Sequence, residues 1–209
     1  KFKSKAGIRF YGLEVEYATT RKLTRKFDGP GMSNDDIKSY LRDNKLGKLV
    51  RDGSCGYEMV SAPWDYEDLL VYIDLLPLDE IVVDYNCGIH IHVSRDIFTP
   101  LMLGRLLVFI NDPDNNDYIV SKVGRDANRY CKKEYKGKDP NNVKLYSDDR
   151  YQAINLTNTG DSKHTIEFRM FASSNSSRVI KSYVKWLDTM ITLSMTSNLS
   201  IDLIESHLQ

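Results

Sequence analysis

Three pairs of residues have the types and the spacing to do chemistry. Glu14 and Glu16 alternate with apolar residues in Gly12-Leu13-Glu14-Val15-Glu16, and His90 and His92 do so in Gly88-Ile89-His90-Ile91-His92-Val93. Glu167 and Arg169 repeat the pattern in Thr165-Ile166-Glu167-Phe168-Arg169-Met170. On a strand, alternate residues point to the same face and lie roughly 6–7 Å apart. The pattern predicts a sheet whose apolar face makes a core. The other face collects carboxylates, imidazoles and a guanidinium. A half-solvated antiparallel sheet would also be polar on one side. Such a face usually mixes Lys, Thr, Ser and Gln, however, whereas these residues bind metals or phosphate, and two of the four histidines fall in one pair.

Glutamates on one strand face can serve two neighbouring metal ions, typically about 4 Å apart. Hard oxygen ligands suit Mg²⁺ or Mn²⁺, which commonly work with substrate phosphates. An arginine on the same face adds a planar fork of donors for phosphate oxygens. The chemistry expected is phosphoryl transfer from a nucleotide. Asp52-Gly53-Ser54 reads as a turn, with Glu58 on the strand after it. Arg150, Gln152 and Asn155 flank or lie in the strand before Glu167.

These residues need elements to position them. Strands are expected at 7–19, 48–51, 57–61, 80–85, 89–94, 151–157 and 165–171 from alternation and β-branched or aromatic content. Ser33 and Asp36 form a capping-box pattern ahead of Ile37, Tyr40 and Leu41, with Gly47 ending that helix. Asp65 caps a helix carrying Leu69, Leu70, Ile73 and Leu76, stopped at Pro77. Thr99-Pro100 starts another through Leu106, Val108 and Ile110. A helix is also expected from Tyr118 to Tyr130, and a long amphipathic one from about Ser176 to Met195. The polar stretch from Lys132 to Asp149 reads as a loop over a binding site. Hairpins interleaved with helices predict an α+β fold, its largely antiparallel sheet covered on one face by helices.

Composition sets the outer bounds. The 209 residues fit one domain, and 41% hydrophobic content argues for a packed core. Lys plus Arg and Asp plus Glu number 29 each, which gives no electrostatic case for general nucleic-acid binding. No apolar run is long enough for a membrane span. Cys55, Cys87 and Cys131 are odd in number and form no framework by spacing, which points to a reducing compartment. No signal peptide is read at the start. The chain opens at Lys1, which leaves room for a leader or disordered segment ahead of it.

The motifs resemble those of the amidoligase family, common in phage genomes and also found in fungi. Gly12 to Glu16 is similar to its opening motif, and Asp52-Gly53-Ser54 with Glu58 to Pro63 to its second. Cys87 to Val93 is similar to its third, and Arg150 through Asn155 with Thr165 to Arg169 to its last. The four come in the family's order. The family belongs to the carboxylate–amine ligases, with glutamine synthetase and glutamate–cysteine ligase. The resemblance implies one catalytic domain over residues 1–209. It implies a glutamine-synthetase-like half-barrel, with the site on the concave face and helices on the convex one. It also implies ATP, held by Mg²⁺ or Mn²⁺, phosphorylating a small-molecule or peptide carboxylate that an amine then attacks. By motif, Glu14, Glu16, Glu58, His90 and Glu167 are the metal ligands. Arg150 and Arg169 hold phosphate and, with Glu167, act in catalysis. Asn155 and Asp52 join the nucleotide or substrate contacts, and His92 packs or orients a neighbour. The chain is compact for the group, without the helical insertions of larger relatives. A cytoplasmic location is expected, the host's cytoplasm if the chain is phage-encoded.

Three other readings stay open. Cys87, His90 and His92 could bind zinc with Cys55. The fold could serve a phosphotransferase similar to guanidino kinases. The chain could bind a nucleotide or host factor without turnover.

Overall fold

The computed structural model describes residues 9–21, 31–160 and 163–209. In chain order the strands are β1 (Tyr11–Tyr17), β2 (Thr19–Thr20), β3 (Gly47–Arg51), β4 (Tyr57–Ser61), β5 (Ile81–Val82), β6 (Gly88–Ser94), β7 (Ile154–Asn155) and β8 (Thr165–Ala172). The α-helices are α1 (Asn34–Asp43), α2 (Tyr66–Leu75), α3 (Pro100–Asn111), α4 (Asn116–Val123), α5 (Ser177–Ser194) and α6 (Ile201–Leu208). Six strands form one open antiparallel sheet in the order β3-β4-β1-β6-β8-β7. The fold is α+β, as the sequence pattern predicts.

Alternation decides what each strand buries. Tyr11, Leu13, Val15 and Tyr17 of β1 join Ile89, Ile91 and Val93 of β6 and Ile166 and Phe168 of β8 in one hydrophobic core. The helices cover that face. Phe171 stacks on Tyr183 of α5, with centroids 5.1 Å apart, and meets Trp186 edge-on. Moving such apolar surface out of water is the main force that seats helices on a sheet. The other face is left to Glu14, Glu16, His90 and Glu167. Local signals fix the helix starts: Ser33 and Asp36 make the reciprocal capping box, while Asp65 and Thr99 accept from the backbone amides of Asp68 and Met102. Such caps contribute about 1 kcal/mol each.

Several boundaries differ from the sequence reading. The first strand begins at Tyr11, and Gly7 and Ile8 lie outside the described residues. Asn44 caps α1, Lys45 makes the left-handed turn, and Gly47 instead opens β3. The 80–85 segment pairs over two residues only, with β2 in a separate small sheet. The 151–157 segment joins the six-stranded sheet over Ile154–Asn155 only, with an isolated parallel bridge from Gln152 to Lys132. The helix expected to run to Tyr130 stops at Val123, because Gly124 takes the left-handed conformation at φ 79°. That stop turns residues 125–130 back towards the sheet. The short α6 was not anticipated. Cys55 and Cys87 are joined in a disulfide, so the cysteine count no longer argues for a reducing compartment. No helix among the described residues is long and apolar enough to cross a membrane.

Candidate active site

The ladder places the polar pairs of β1, β4, β6 and β8 in register. Glu14 is the cross-strand partner of His90, and Glu16 of Glu58. His92 partners Glu167, which in turn partners Asn155. Side chains directly opposite one another touch, so four strands bring their polar residues to one place.

His90 stands at the centre. Its Nδ1 lies 3.2 Å from Glu14 Oε2 and 3.6 Å from Glu167 Oε1, while Nε2 lies 3.5 Å from Glu16 Oε1. Two groups of possible ligands result, Glu14–His90–Glu167 and Glu16–Glu58–His90, each with donor atoms within 4.8 Å of one another. The backbone amide of Gly88 donates to Glu16 Oε2 at 2.6 Å. Asn155 and Asn158 donate to Glu167 Oε2 at 2.7 and 3.0 Å, and Arg169 Nη1 pairs with Glu167 Oε1. His92 is buried beside this cluster. Its Nδ1 is 3.0 Å from Thr165 Oγ1, and Nε2 lies 3.1 Å from Glu14 Oε1. It belongs to neither ligand group.

A β-bulge falls at Arg169. Ile91 pairs with Phe168 and Ile89 with Phe171, so Arg169 and Met170 together face the single His90. A bulge bends its strand and re-aims a side chain. Here Met170 enters the core while Arg169 reaches the polar side.

A cavity of about 560 Å³ opens on this face. Every site residue expected from sequence borders it: Glu14, Glu16, Asp52, Glu58, His90, Arg150, Asn155, Glu167 and Arg169. Arg150 is exposed, its guanidinium 5.5 Å from the Tyr151 ring centre. Asp52 Oδ1 is taken by its own turn, accepting from Ser54 N, Ser54 Oγ and Cys55 N. Gln152 bonds Glu134 instead and lines a different, small cavity. The sequence reading missed Asn158, Lys163 and Arg125. Lys163 Nζ reaches Glu14 Oε1 at 3.3 Å. Asn158 follows the Asn155 motif by only three residues, a usable hint. Arg125 gave none, because only the stop at Gly124 brings it to the wall. The zinc grouping does not form: the cysteines are paired, and neither histidine-containing ligand group includes one among the described residues.

Crowded carboxylates perturb one another. Burial pushes Glu58 up to about 9, and the negative neighbours Glu14, Glu16 and Asp52 push the same way. Burial also opposes ionisation of Glu14, yet hydrogen bonds and charge from His90 and His92 hold it far below the usual carboxylate range. Burial opposes Glu167 too, but the charges of His92, His90 and Arg169 bring it down to about 2. Each group offers two carboxylates and an imidazole, a donor set that fits a divalent cation.

A model of the family described as "Putative amidoligase enzyme" matches residues 120–191. The match takes in about a third of the chain and agrees with the resemblance read from the last of the four motifs. It supports a ligase-type activity. It covers Arg150, Asn155, Glu167 and Arg169, while Glu14, Glu16, Glu58 and His90 lie ahead of it. Among solved structures, a glutamine synthetase from Plasmodium falciparum aligns with a TM-score of 0.47 and 12% identity. The alignment covers 95% of this chain and 52% of that one, so the chain spans about half its length. No curated protein matches the chain.

Proposed function

We propose that the protein is an ATP- and divalent-metal-dependent ligase that joins a small-molecule or peptide carboxylate to an amine. One observation carries the reading: two ligand groups share His90 on one sheet face, in a cavity that Arg150 and Arg169 also border. Neutral His90 has one ring lone pair to give, so it would join one ion, with Glu14 and Glu167 or with Glu16 and Glu58, and the other carboxylate pair would serve a second. Bound Mg²⁺ or Mn²⁺ would neutralise charge on the nucleotide phosphates.

The chain's own residues supply positioning and electrostatics. Arg169 presents a guanidinium fork whose direction Glu167 fixes, and Asn155 and Asn158 fix Glu167 in turn. Arg150, at the rim, adds a second fork for phosphate oxygens. Preset donors of this kind stabilise charge that builds on a transferring phosphoryl group. A substrate carboxylate oxygen attacks the terminal phosphorus, ADP leaves, and an acyl phosphate forms. The amine then attacks the acyl carbon, phosphate leaves, and the amide forms with release of a proton.

ADP release is measured with a panel of amino acids and amines, and the product mass is determined. With the true acid substrate, hydroxylamine should trap the intermediate as a hydroxamate. Phosphate transfer without any hydroxamate would favour the phosphotransferase reading. ATP binding of equal strength with and without Mg²⁺ would count against both.

A further inference from the structure

The wall of the cavity holds a half-buried arginine that the mechanism does not use. Arg125 follows the left-handed Gly124 that ends α4, and its side chain enters between the start of β6 and β8. Nη1 donates to the carbonyl of Cys87 at 3.3 Å, and Nη2 donates to the carbonyl of Arg169. Nε is buried and has no hydrogen-bond partner among the described residues. Taking a guanidinium out of water is costly, so its seat must hold it by geometry.

The seat exists because residue 88 is glycine. A Cβ there would lie 2.7 Å from Arg125 Nη2 and 2.8 Å from Nη1. Gly88 is not among the residues with left-handed backbone, so its need for glycine is this contact and not its φ. The same Gly88 gives its amide to Glu16. Arg125 therefore touches two points at once: the β6 entry that holds Glu16, and the bulge at Arg169.

We infer that Arg125 is a positioning residue that locks the carboxylate side of the site to its phosphate side, through the carbonyls of Cys87 and Arg169. It touches no reacting atom, and its effect passes through Glu16 and Arg169. The inference rests on the proposed metal site. Partners one step removed from a metal ligand commonly change metal affinity or activity 10–100-fold, a rough guide for the size expected here.

The test is a cycle of Gly88→Ala, Arg125→Ala and the double variant, read by thermal melting and by Mn²⁺ titration calorimetry without nucleotide. In the otherwise unaltered chain, Gly88→Ala should lower both Tm and Mn²⁺ affinity, because its methyl displaces the guanidinium. In the Arg125→Ala background the same methyl should cost nothing, since its space is vacant. Such non-additivity is the mark of two groups sharing one contact. Arg125→Ala and Arg125→Lys should each weaken Mn²⁺ binding by roughly 10-fold. Additive losses would overturn the inference. So would a folded Arg125→Ala protein that binds Mn²⁺ as the unaltered chain does, because a merely structural arginine lowers Tm alone. If the unaltered chain binds no Mn²⁺, the metal site itself is wrong and the inference falls with it.

Discussion

Glu16 and Glu58 face each other directly across the β1–β4 ladder, two carboxylates in one ligand group. Like charges opposite one another weaken a sheet. The pair is tolerable when one member keeps its proton or when a cation sits between them. Glu58→Gln removes the conflict and a ligand together. The metal-free protein should therefore gain stability, on the order of 1 kcal/mol, while divalent-metal affinity falls more than about 10-fold. Melting curves and calorimetric titration of one variant check both signs. A variant that is less stable without metal would sink the argument.

The same pair sets a pH dependence. Glu58 is raised to about 9, so between the ordinary carboxylate range and pH 9 the folded metal-free state holds a proton that the unfolded state has lost. Stability falls with pH wherever the folded state binds more protons. The metal-free Tm should therefore drop as pH rises from 5 to about 9. Metal binding must expel that proton, so metal affinity should climb over the same window. Glu14 and Glu167, held low, contribute stability that is lost only in acid below the ordinary range. A flat metal affinity between pH 6 and 8.5, at roughly constant ionic strength, would remove Glu58 from the ligand set.

Asn155 and Asn158 both serve Glu167 Oε2, but Asn155 is buried in the sheet and Asn158 lies in the loop beyond it. Asn155→Ala leaves a buried charged acceptor short of a donor, which costs about 1–3 kcal/mol. It should also reduce metal affinity about 10-fold. Asn158→Ala should do less on both counts. Denaturant unfolding and Mn²⁺ titration rank the two. The reverse order would mean that the loop, and not the strand, orients Glu167.

Arg169 should matter more to turnover than to binding. Lys keeps the charge but cannot give two parallel hydrogen bonds. In Arg169→Lys, kcat should fall on the order of 10²-fold with a smaller change in ATP affinity. Steady-state kinetics and nucleotide titration separate the two effects. Near-normal turnover in a folded variant would dissociate Arg169 from catalysis.

Much of this site was legible in the sequence because a strand's period is short and strict. Glu14, His90 and Glu167 each sit between residues that must be buried, so alternation alone assigns their face. What escaped depends on departures from period. The bulge at Arg169–Met170 leaves the local alternation intact and shows only in the pairing with β6. Arg125 falls in a segment whose composition suits a helix, and only Gly124 turns it away. The Cys55–Cys87 bond needs the β3–β4 turn brought against the start of β6, a tertiary contact that spacing does not encode. Two-residue strands such as β5 and β7 are too short for any periodic signal.

The sheet order also bears on how the protein acquires its site. The strands β4, β1, β6 and β8 are adjacent in space, but the candidate ligands they carry, Glu58, Glu14 and Glu16, His90, and Glu167, are scattered along most of the chain. Contacts between such distant residues form late, because each must first offset the entropy of closing a long loop. No single hairpin or fragment holds a complete ligand group. A cation that binds the finished site therefore selects the fully paired sheet over every partly folded form. It should act on the whole molecule as one cooperative brace, slowing global unfolding and not merely quieting the cavity.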